Sequence, residues 1–117
     1  MSPSGTDTPV NIDELKEIMD DDIGLIRECF DDFVQEWPAQ YVDIKSAILE
    51  NDAQRLDDAA HKLKGTLRYL AAGDAADAAY ALESAGKENN LSNAETQLSV
   101  LKDECQKLVE FINKFSG

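Results

Sequence analysis

Residues 53–70 read AQRLDDAAHKLKGTLRYL and decide the fold of this chain of 117 residues. Apolar residues recur in this stretch at spacings of three and four, which is the pattern of a helix buried on one side. The recurring positions are Leu56, Ala59, Leu63, Leu67 and Leu70. The stretch therefore predicts an amphipathic helix from about Ala53 to Leu70.

The sequence before this stretch predicts two further helical segments. Asn11 and Glu14 resemble a capping box, which indicates a short first helix through about Met19. A stronger apolar stripe follows at Ile23, Ile26, Phe30, Phe33 and Trp37 and continues at Tyr41, Ile44 and Ile48. Pro38 is expected to interrupt this stripe or to begin a new segment, because proline removes a backbone donor. Asn51 and Asp52 predict the turn that follows.

The sequence after residue 70 predicts two more helices. A turn at Gly73-Asp74 precedes an alanine-rich helix that is expected to end near Gly86, with glycine as its stop. Ser92 and Glu95 form a capping-box pattern at the start of the last helix. The apolar stripe of this last helix consists of Leu98, Leu101, Cys105, Leu108, Ile112 and Phe115.

No segment alternates in the period of a strand, so the predicted fold class is all-α. Four amphipathic helices with short connections pack most simply as an antiparallel four-helix bundle, with the short N-terminal helix capping one end. The length suits one domain. Residues 1–10 are rich in Ser, Thr, Pro and Gly and predict a flexible tail. Residues 11–117 are expected to form the bundle domain.

Composition excludes several classes of function. The net charge is −13, whereas a nucleic-acid-binding domain normally has a basic excess. No apolar run reaches the roughly 20 residues that cross a membrane, and the first residues do not resemble a signal peptide, so a cytoplasmic protein is expected. Cys29 and Cys105 have no neighbouring ligand at metal-binding spacing, so we expect two small buried side chains and no metal site.

His61 is the only histidine of the chain. A helix advances about 100° per residue, which places the apolar positions of its helix about 160–240° away from it. The imidazole ring is therefore predicted to face solvent. Lys64, Gly65 and Arg68 lie within about 60° of His61 on the same wheel.

Three features of this face favour a function. Residues 61–68 contain three Lys or Arg residues and no acids, a local charge reversal that suits a phosphate or an acidic partner. Gly65 costs about 1 kcal/mol relative to alanine in a helix, and its missing side chain leaves room beside His61. A neutral imidazole nitrogen is a competent nucleophile toward phosphorus.

Each feature also has a structural explanation. An exposed histidine on a helix often has no role, a basic cluster is often a solvated face, and Gly65 can serve close helix packing. Asp57 and Asp58 either orient the imidazole or are solvated acids. The residues alone leave these alternatives open.

The segment Ala60-His-Lys-Leu-Lys-Gly-Thr66 is similar to the A-H-x-L-K-G-S motif of the histidine-containing phosphotransfer (HPt) domain family of phosphorelays. The segment Leu82-Glu-Ser-Ala-Gly86 resembles the family's L-E-x-A-G motif in the next helix. Phe30 and Phe33 resemble its aromatic positions on an earlier helix. The overall pattern extends over about residues 11–115.

The resemblance implies a phosphoryl carrier. His61 would be the phosphoacceptor, Lys64 would steady the phosphoryl oxygens, and Gly65 would give a receiver domain access to the histidine. The implied partners are a response-regulator receiver domain, a hybrid sensor histidine kinase, or both, and family members usually act as monomers. The family has no autokinase activity and no cofactor of its own, so Mg²⁺ is expected on the partner receiver domain.

Three further residues are expected at the surface where a partner docks. Lys62 and Arg68 would attract the acidic mouth of a receiver domain and speed the encounter. Tyr69 lies about 80° from His61 on the helical wheel and would touch the docked partner. Ala71 stands where the family usually has glycine, a difference that bears on partner choice.

Two other functions are compatible with a histidine on a helical bundle. A bundle that only binds receiver or kinase domains would not need the nucleophile. The dimerising segment of a histidine kinase also carries a phosphoacceptor histidine, but there an acid and Arg-x-Pro-like residues follow, whereas this chain has Lys62 and Gly65. No nucleotide-binding glycine motif follows either.

Overall fold

The structure is a computed structural model, and it describes residues 9–115. Over these residues the chain forms α1 (Ile12–Ile18), α2 (Ile23–Leu49), α3 (Ala53–Tyr69), α4 (Gly73–Lys87) and α5 (Ala94–Lys114), with no strand. The all-α prediction is confirmed. None of the described helices is long and apolar enough to cross a membrane. The predicted tail falls mostly on residues outside the described range, but Val10 is buried in the core.

Helices α2 to α5 close a four-helix bundle. Helix α2 packs against α3 and α5, and α4 packs against the same two helices from the other side. Connections of three residues join α2 to α3 and α3 to α4, and six residues join α4 to α5. Such short connections return the chain beside the helix it has just left, so sequential neighbours run antiparallel.

Helix α1 caps the end of the bundle where α3 turns into α4. The backbone N–H of Asn11 donates to the carbonyl oxygen of Ala71 in that turn, at 3.0 Å. The Asn11 side chain accepts from the N–H of Glu14 at 3.1 Å, as the sequence predicts. Leu15 and Met19 are buried in the core. The predicted capping helix is confirmed.

Helix α2 continues through Pro38, so the predicted interruption is wrong. The helix has 27 residues, and Pro38 removes one backbone hydrogen bond from its interior. Packing compensates for this loss, because Phe33 and Trp37 before the proline and Ile44 after it are all buried. Tertiary packing of an apolar face contributes more to helix stability than local propensity does.

The turn between α3 and α4 lies three residues earlier than the predicted turn at Gly73-Asp74. Ala71 adopts a left-handed conformation with φ of 57°. The N–H of Ala72 donates to the carbonyl of Leu67 at 2.9 Å, as in a Schellman motif. Gly73 is the first residue of α4. The predicted position of the turn is wrong because the left-handed residue is an alanine, whereas glycine is the residue that usually adopts this conformation.

Gly86 lies one residue before the end of α4, close to where the helix was predicted to stop, but it does not form the stop. Asn89 is the left-handed residue after the helix, with φ of 53°. A Cβ atom on Gly86 would lie 2.6 Å from the carbonyl oxygen of Ala53 and 2.7 Å from the backbone nitrogen of Asp57. Gly86 therefore permits a close approach between α4 and the first turns of α3.

We expect Gly86→Ala to destabilise the protein by about 2 kcal/mol, because the new methyl group would meet backbone atoms that cannot rotate away. Urea denaturation followed by circular dichroism measures this loss. Gly73→Ala is the matched control, since a Cβ there meets nothing within 4 Å. Equal stability of Gly86→Ala and the wild type would contradict the close approach.

The predicted capping box at the start of α5 is wrong. The helix begins at Ala94, and its N-cap Asn93 makes no side-chain capping bond. The hydroxyl of Ser92 donates instead to the side-chain oxygen of Asn90 at 2.8 Å. This local hydrogen bond competes with the helix cap for the serine.

Candidate functional site

Helix α3 presents His61 on the outer face of the bundle. The side chain of His61 is 67% exposed. The opposite face of the helix enters the core through Leu56, Ala60, Leu63 and Leu67. The outward orientation predicted from the helical wheel is therefore confirmed.

The imidazole ring is anchored by a residue of the motif at residues 82–86 for which the sequence predicted no role of its own. The Nδ1 atom of His61 lies 2.8 Å from Oε2 of Glu83 on α4. Glu83 is only 2% exposed, and it is the one charged residue that is buried in the described part of the chain. The sequence does indicate that Glu83 is buried, because helical spacing places it with Leu82 and Ala79 on the apolar side of α4. Such a buried acid needs a partner.

Lys64 is the main counter-ion of this carboxylate. Its Nζ atom lies 2.5 Å from Oε1 of Glu83. The ring of Tyr80 covers the ammonium group from the other side, with 5.2 Å between Nζ and the ring centroid. Only 13% of the Lys64 side chain is exposed. Lys64 therefore binds Glu83 in this structure, and its predicted contact with phosphoryl oxygens stays a prediction.

Lys87 is a second cation beside the same carboxylate. Its Nζ atom lies 3.7 Å from Oε2 of Glu83, one turn earlier on α4. The same Nζ atom lies 3.3 Å from Oδ1 of Asp57 on α3. Lys87 thus joins two carboxylates across the α3–α4 contact.

Asp57 and Asp58 do not bind the imidazole ring. Asp57 pairs with Lys87, and Asp58 accepts a hydrogen bond from the side chain of Gln54 at 3.0 Å. The suggestion that either acid orients His61 is therefore wrong, since Glu83 has that position.

The ionisation state of Glu83 determines which nitrogen of His61 carries the proton and which carries the lone pair. Burial alone would raise the pKa of Glu83, but the charges and hydrogen-bonding groups of Lys64 and His61 outweigh burial and hold it below the ordinary value. An ionised carboxylate can only accept hydrogen bonds, so Nδ1 carries the proton that it donates. In the neutral ring the lone pair then lies on Nε2.

The lowered pKa of Glu83 should make the stability of the protein depend on pH. A carboxyl group with a lowered pKa contributes stability that is present above the unfolded value of about 4.3 and is lost as pH falls through the folded value. We expect Glu83→Gln to be less stable than the wild type at pH 7 by about 1–3 kcal/mol, because it leaves Lys64 without a counter-ion. The difference should narrow below about pH 4. Urea denaturation of both proteins between pH 7 and about pH 3 tests this prediction. A stability difference that does not change with pH would contradict an ionised Glu83.

Gly65 leaves open surface one turn from His61. A Cβ atom at Gly65 would meet nothing within 4 Å, so this glycine does not serve close packing against another helix of the chain. It borders a groove of about 400 Å³ between α2 and α3. The groove is lined by Cys29, Asp32, Phe33, Glu36, Gly65, Thr66, Tyr69 and Leu70.

The three residues predicted to dock a partner lie on the surface. Lys62 and Arg68 are exposed, and Tyr69 is 48% exposed for a large side chain. The structure brings Tyr69 to the same groove as Gly65. Their role in docking stays a prediction.

The described residues contain no cluster of three or more His, Cys, Asp or Glu side chains suited to a metal ion. Both cysteines are free thiols. Burial, with the charge of Glu104, raises the pKa of Cys105 to about 12. Burial and the charges of Asp32 and Glu28 also raise the pKa of Cys29. A raised pKa keeps both thiols protonated and poorly nucleophilic.

Comparison with known family models gives a match over most of the chain. The family model for the Hpt domain matches residues 28–111. This range includes α3, α4 and every residue of the site around His61. Searches of curated proteins and of solved structures returned no significant match.

Proposed function

The chain belongs to the Hpt domain family, and we propose that it carries a phosphoryl group on His61. Hpt domains act in phosphorelays by histidine phosphotransfer. In the proposed reaction His61 accepts the group from a phosphoaspartate of one receiver domain. It then passes the group to the aspartate of another receiver domain.

The pairing of an exposed imidazole with a buried, ionised carboxylate carries this proposal. Glu83 holds the proton on Nδ1 and so leaves the lone pair of Nε2 directed away from the carboxylate. Nε2 attacks phosphorus in line, and the N–P bond forms as the bond from phosphorus to the aspartate oxygen breaks. The released aspartate keeps the electron pair as a carboxylate.

Glu83 also stabilises the product of this step. When neutral Nε2 bonds to phosphorus, the ring gains a positive charge while Nδ1 keeps its proton. A carboxylate 2.8 Å from Nδ1 stabilises that charge, as the buried acid of a catalytic triad stabilises an imidazolium. Phosphoryl transfer needs little else from the protein beyond positioning and charge.

The remaining site residues have supporting roles in the proposal. Lys64 steadies Glu83 before transfer and provides a cation for the phosphoryl oxygens after it. The open surface at Gly65 admits the receiver domain, and Lys62, Arg68 and Tyr69 contact it. The receiver contributes its own Mg²⁺ and the aspartate. This chain acts as a carrier and does not phosphorylate itself.

Label transfer tests the proposal. The protein and its His61→Gln variant are each mixed with a phosphorylated receiver domain and Mg²⁺. We expect acid-labile label on the wild type alone. Label on both proteins would place the acceptor elsewhere. No label on either across a broad panel of receivers, with helical circular dichroism intact, would favour a module that only binds.

A further inference from the structure

The two lysines that touch Glu83 differ in their access to solvent. The side chain of Lys64 is 13% exposed, whereas that of Lys87 is 59% exposed. Lys87 also approaches Oε2, the oxygen that holds His61, while Lys64 contacts Oε1. Lys87 is therefore the solvent-accessible cation nearest to the atom that anchors the imidazole.

Asp57 restrains this cation. Asp57 lies one turn before His61 on α3, its side chain is 15% exposed, and Oδ1 lies 3.3 Å from Nζ of Lys87. The Asp57 carboxylate thus offsets part of the positive charge that Lys87 brings to the site. Removing either residue changes the electrostatic potential at His61, and the two removals change it in opposite directions.

We propose that Lys87 is a positioning residue that prolongs the life of the phosphoryl group on His61, and that Asp57 shortens it by drawing Lys87 away. The inference rests on the proposed function. During hydrolysis water attacks phosphorus, the P–N bond breaks, and its electron pair returns to Nε2 as inorganic phosphate leaves. Nδ1 already carries a proton in the phosphorylated ring, so a further proton binds a phosphoryl oxygen, and it makes this acid-labile bond break faster. A nearby cation disfavours proton binding, so it slows hydrolysis.

The lifetime of the phosphohistidine tests the proposal. Each protein is loaded with potassium phosphoramidate, a small donor that needs no receiver domain, and the decay is followed by ³¹P nuclear magnetic resonance (NMR). The phosphohistidine of Lys87→Gln should decay about threefold faster than that of the wild type, and that of Asp57→Asn about threefold slower. We expect effects of this size because each variant removes one charge from a partly solvated site. Lys87→Arg should keep the wild-type lifetime because it keeps the charge.

Lys107→Gln is the matched control. Lys107 is also an exposed lysine in an ion pair, with Glu104 on α5, and it is remote from Glu83 in the sequence. Its loss should leave the lifetime unchanged. If the variants acted by loosening the bundle, Lys87→Gln and Asp57→Asn would change the lifetime in the same direction. The proposal predicts opposite directions, and thermal melting monitored by circular dichroism confirms that each variant is folded.

The two proposals fail in different ways. Equal lifetimes in all variants, or changes of the same sign for Lys87→Gln and Asp57→Asn, overturn the role of Lys87. Normal loading by phosphoramidate without any exchange with receiver domains contradicts the proposed function, and the measured lifetimes still decide the role of Lys87. A wild type that takes up no phosphate from phosphoramidate or from any receiver domain overturns both.

Discussion

Gly65→Leu should slow transfer from a phosphorylated receiver domain by about 100-fold or more while the bundle stays folded. Gly65 is exposed and a Cβ there meets nothing within 4 Å, so the bundle can accept a side chain that extends into solvent. Leucine also favours the helix over glycine by up to about 1 kcal/mol. The leucine would instead hold the docked receiver domain away from His61. A displacement of about 1 Å between reacting groups can slow a reaction about 100-fold.

Two comparisons separate access from chemistry at Gly65. Phosphoramidate is small, so its reaction with Gly65→Leu should stay within about threefold of the wild-type rate. Gly73→Leu places the same side chain at another glycine with open surroundings, and its transfer from a receiver should be normal. Wild-type transfer by Gly65→Leu would contradict the access role. An equal loss with both donors would show that the leucine disturbs His61 itself.

Glu83→Ala should lower the rate of phosphoryl acceptance by about 10–100-fold with receiver and phosphoramidate alike. The variant loses the acceptor that keeps the proton on Nδ1, so the ring no longer presents a fixed tautomer. It also loses the carboxylate that stabilises the positive ring. Carboxylates that orient a metal-bound histidine have effects of about this size on activity, and Glu83 orients His61 in the same way.

A tautomer measurement accompanies the rates for Glu83. The ¹⁵N chemical shifts of the single histidine report where its proton lies, and we expect Nδ1–H in the wild type and a mixture in Glu83→Ala. Glu83→Gln keeps the shape of the side chain and removes its charge, so it controls for misfolding caused by loss of the side chain. Glu88→Ala removes an exposed acid at the end of the same helix and should leave both readouts unchanged. An unchanged rate in Glu83→Ala and Glu83→Gln would refute the role of Glu83.

Apolar periodicity predicted the helices well because each one buries one face. The stripe from Leu56 to Leu70 located α3 to within one residue at its end. The turn at Asn51-Asp52 was predicted correctly, but the turns that follow α3 and α4 were not, because they depend on which residue tolerates a left-handed backbone. Ala71 and Asn89 occupy these positions, and neither is a glycine.

The sequence located the proposed phosphoacceptor but not its environment. A helical wheel relates residues of one helix, so it placed Lys64, Gly65 and Arg68 around His61. Glu83 is 22 residues away on another helix, and only packing of α4 against α3 brings it to Nδ1. The same packing turned Lys64 toward Glu83 and explains why its side chain is mostly covered.

The most direct test of the account locates the phosphoryl group on an individual nitrogen. His61 is the only histidine, so protein labelled with ¹⁵N-histidine has one reporting ring. After loading from a phosphorylated receiver domain, NMR should detect ¹⁵N–³¹P coupling at Nε2, with the proton retained on Nδ1. Coupling at Nδ1, or phosphate on the protein with no coupling to this ring, would contradict the account.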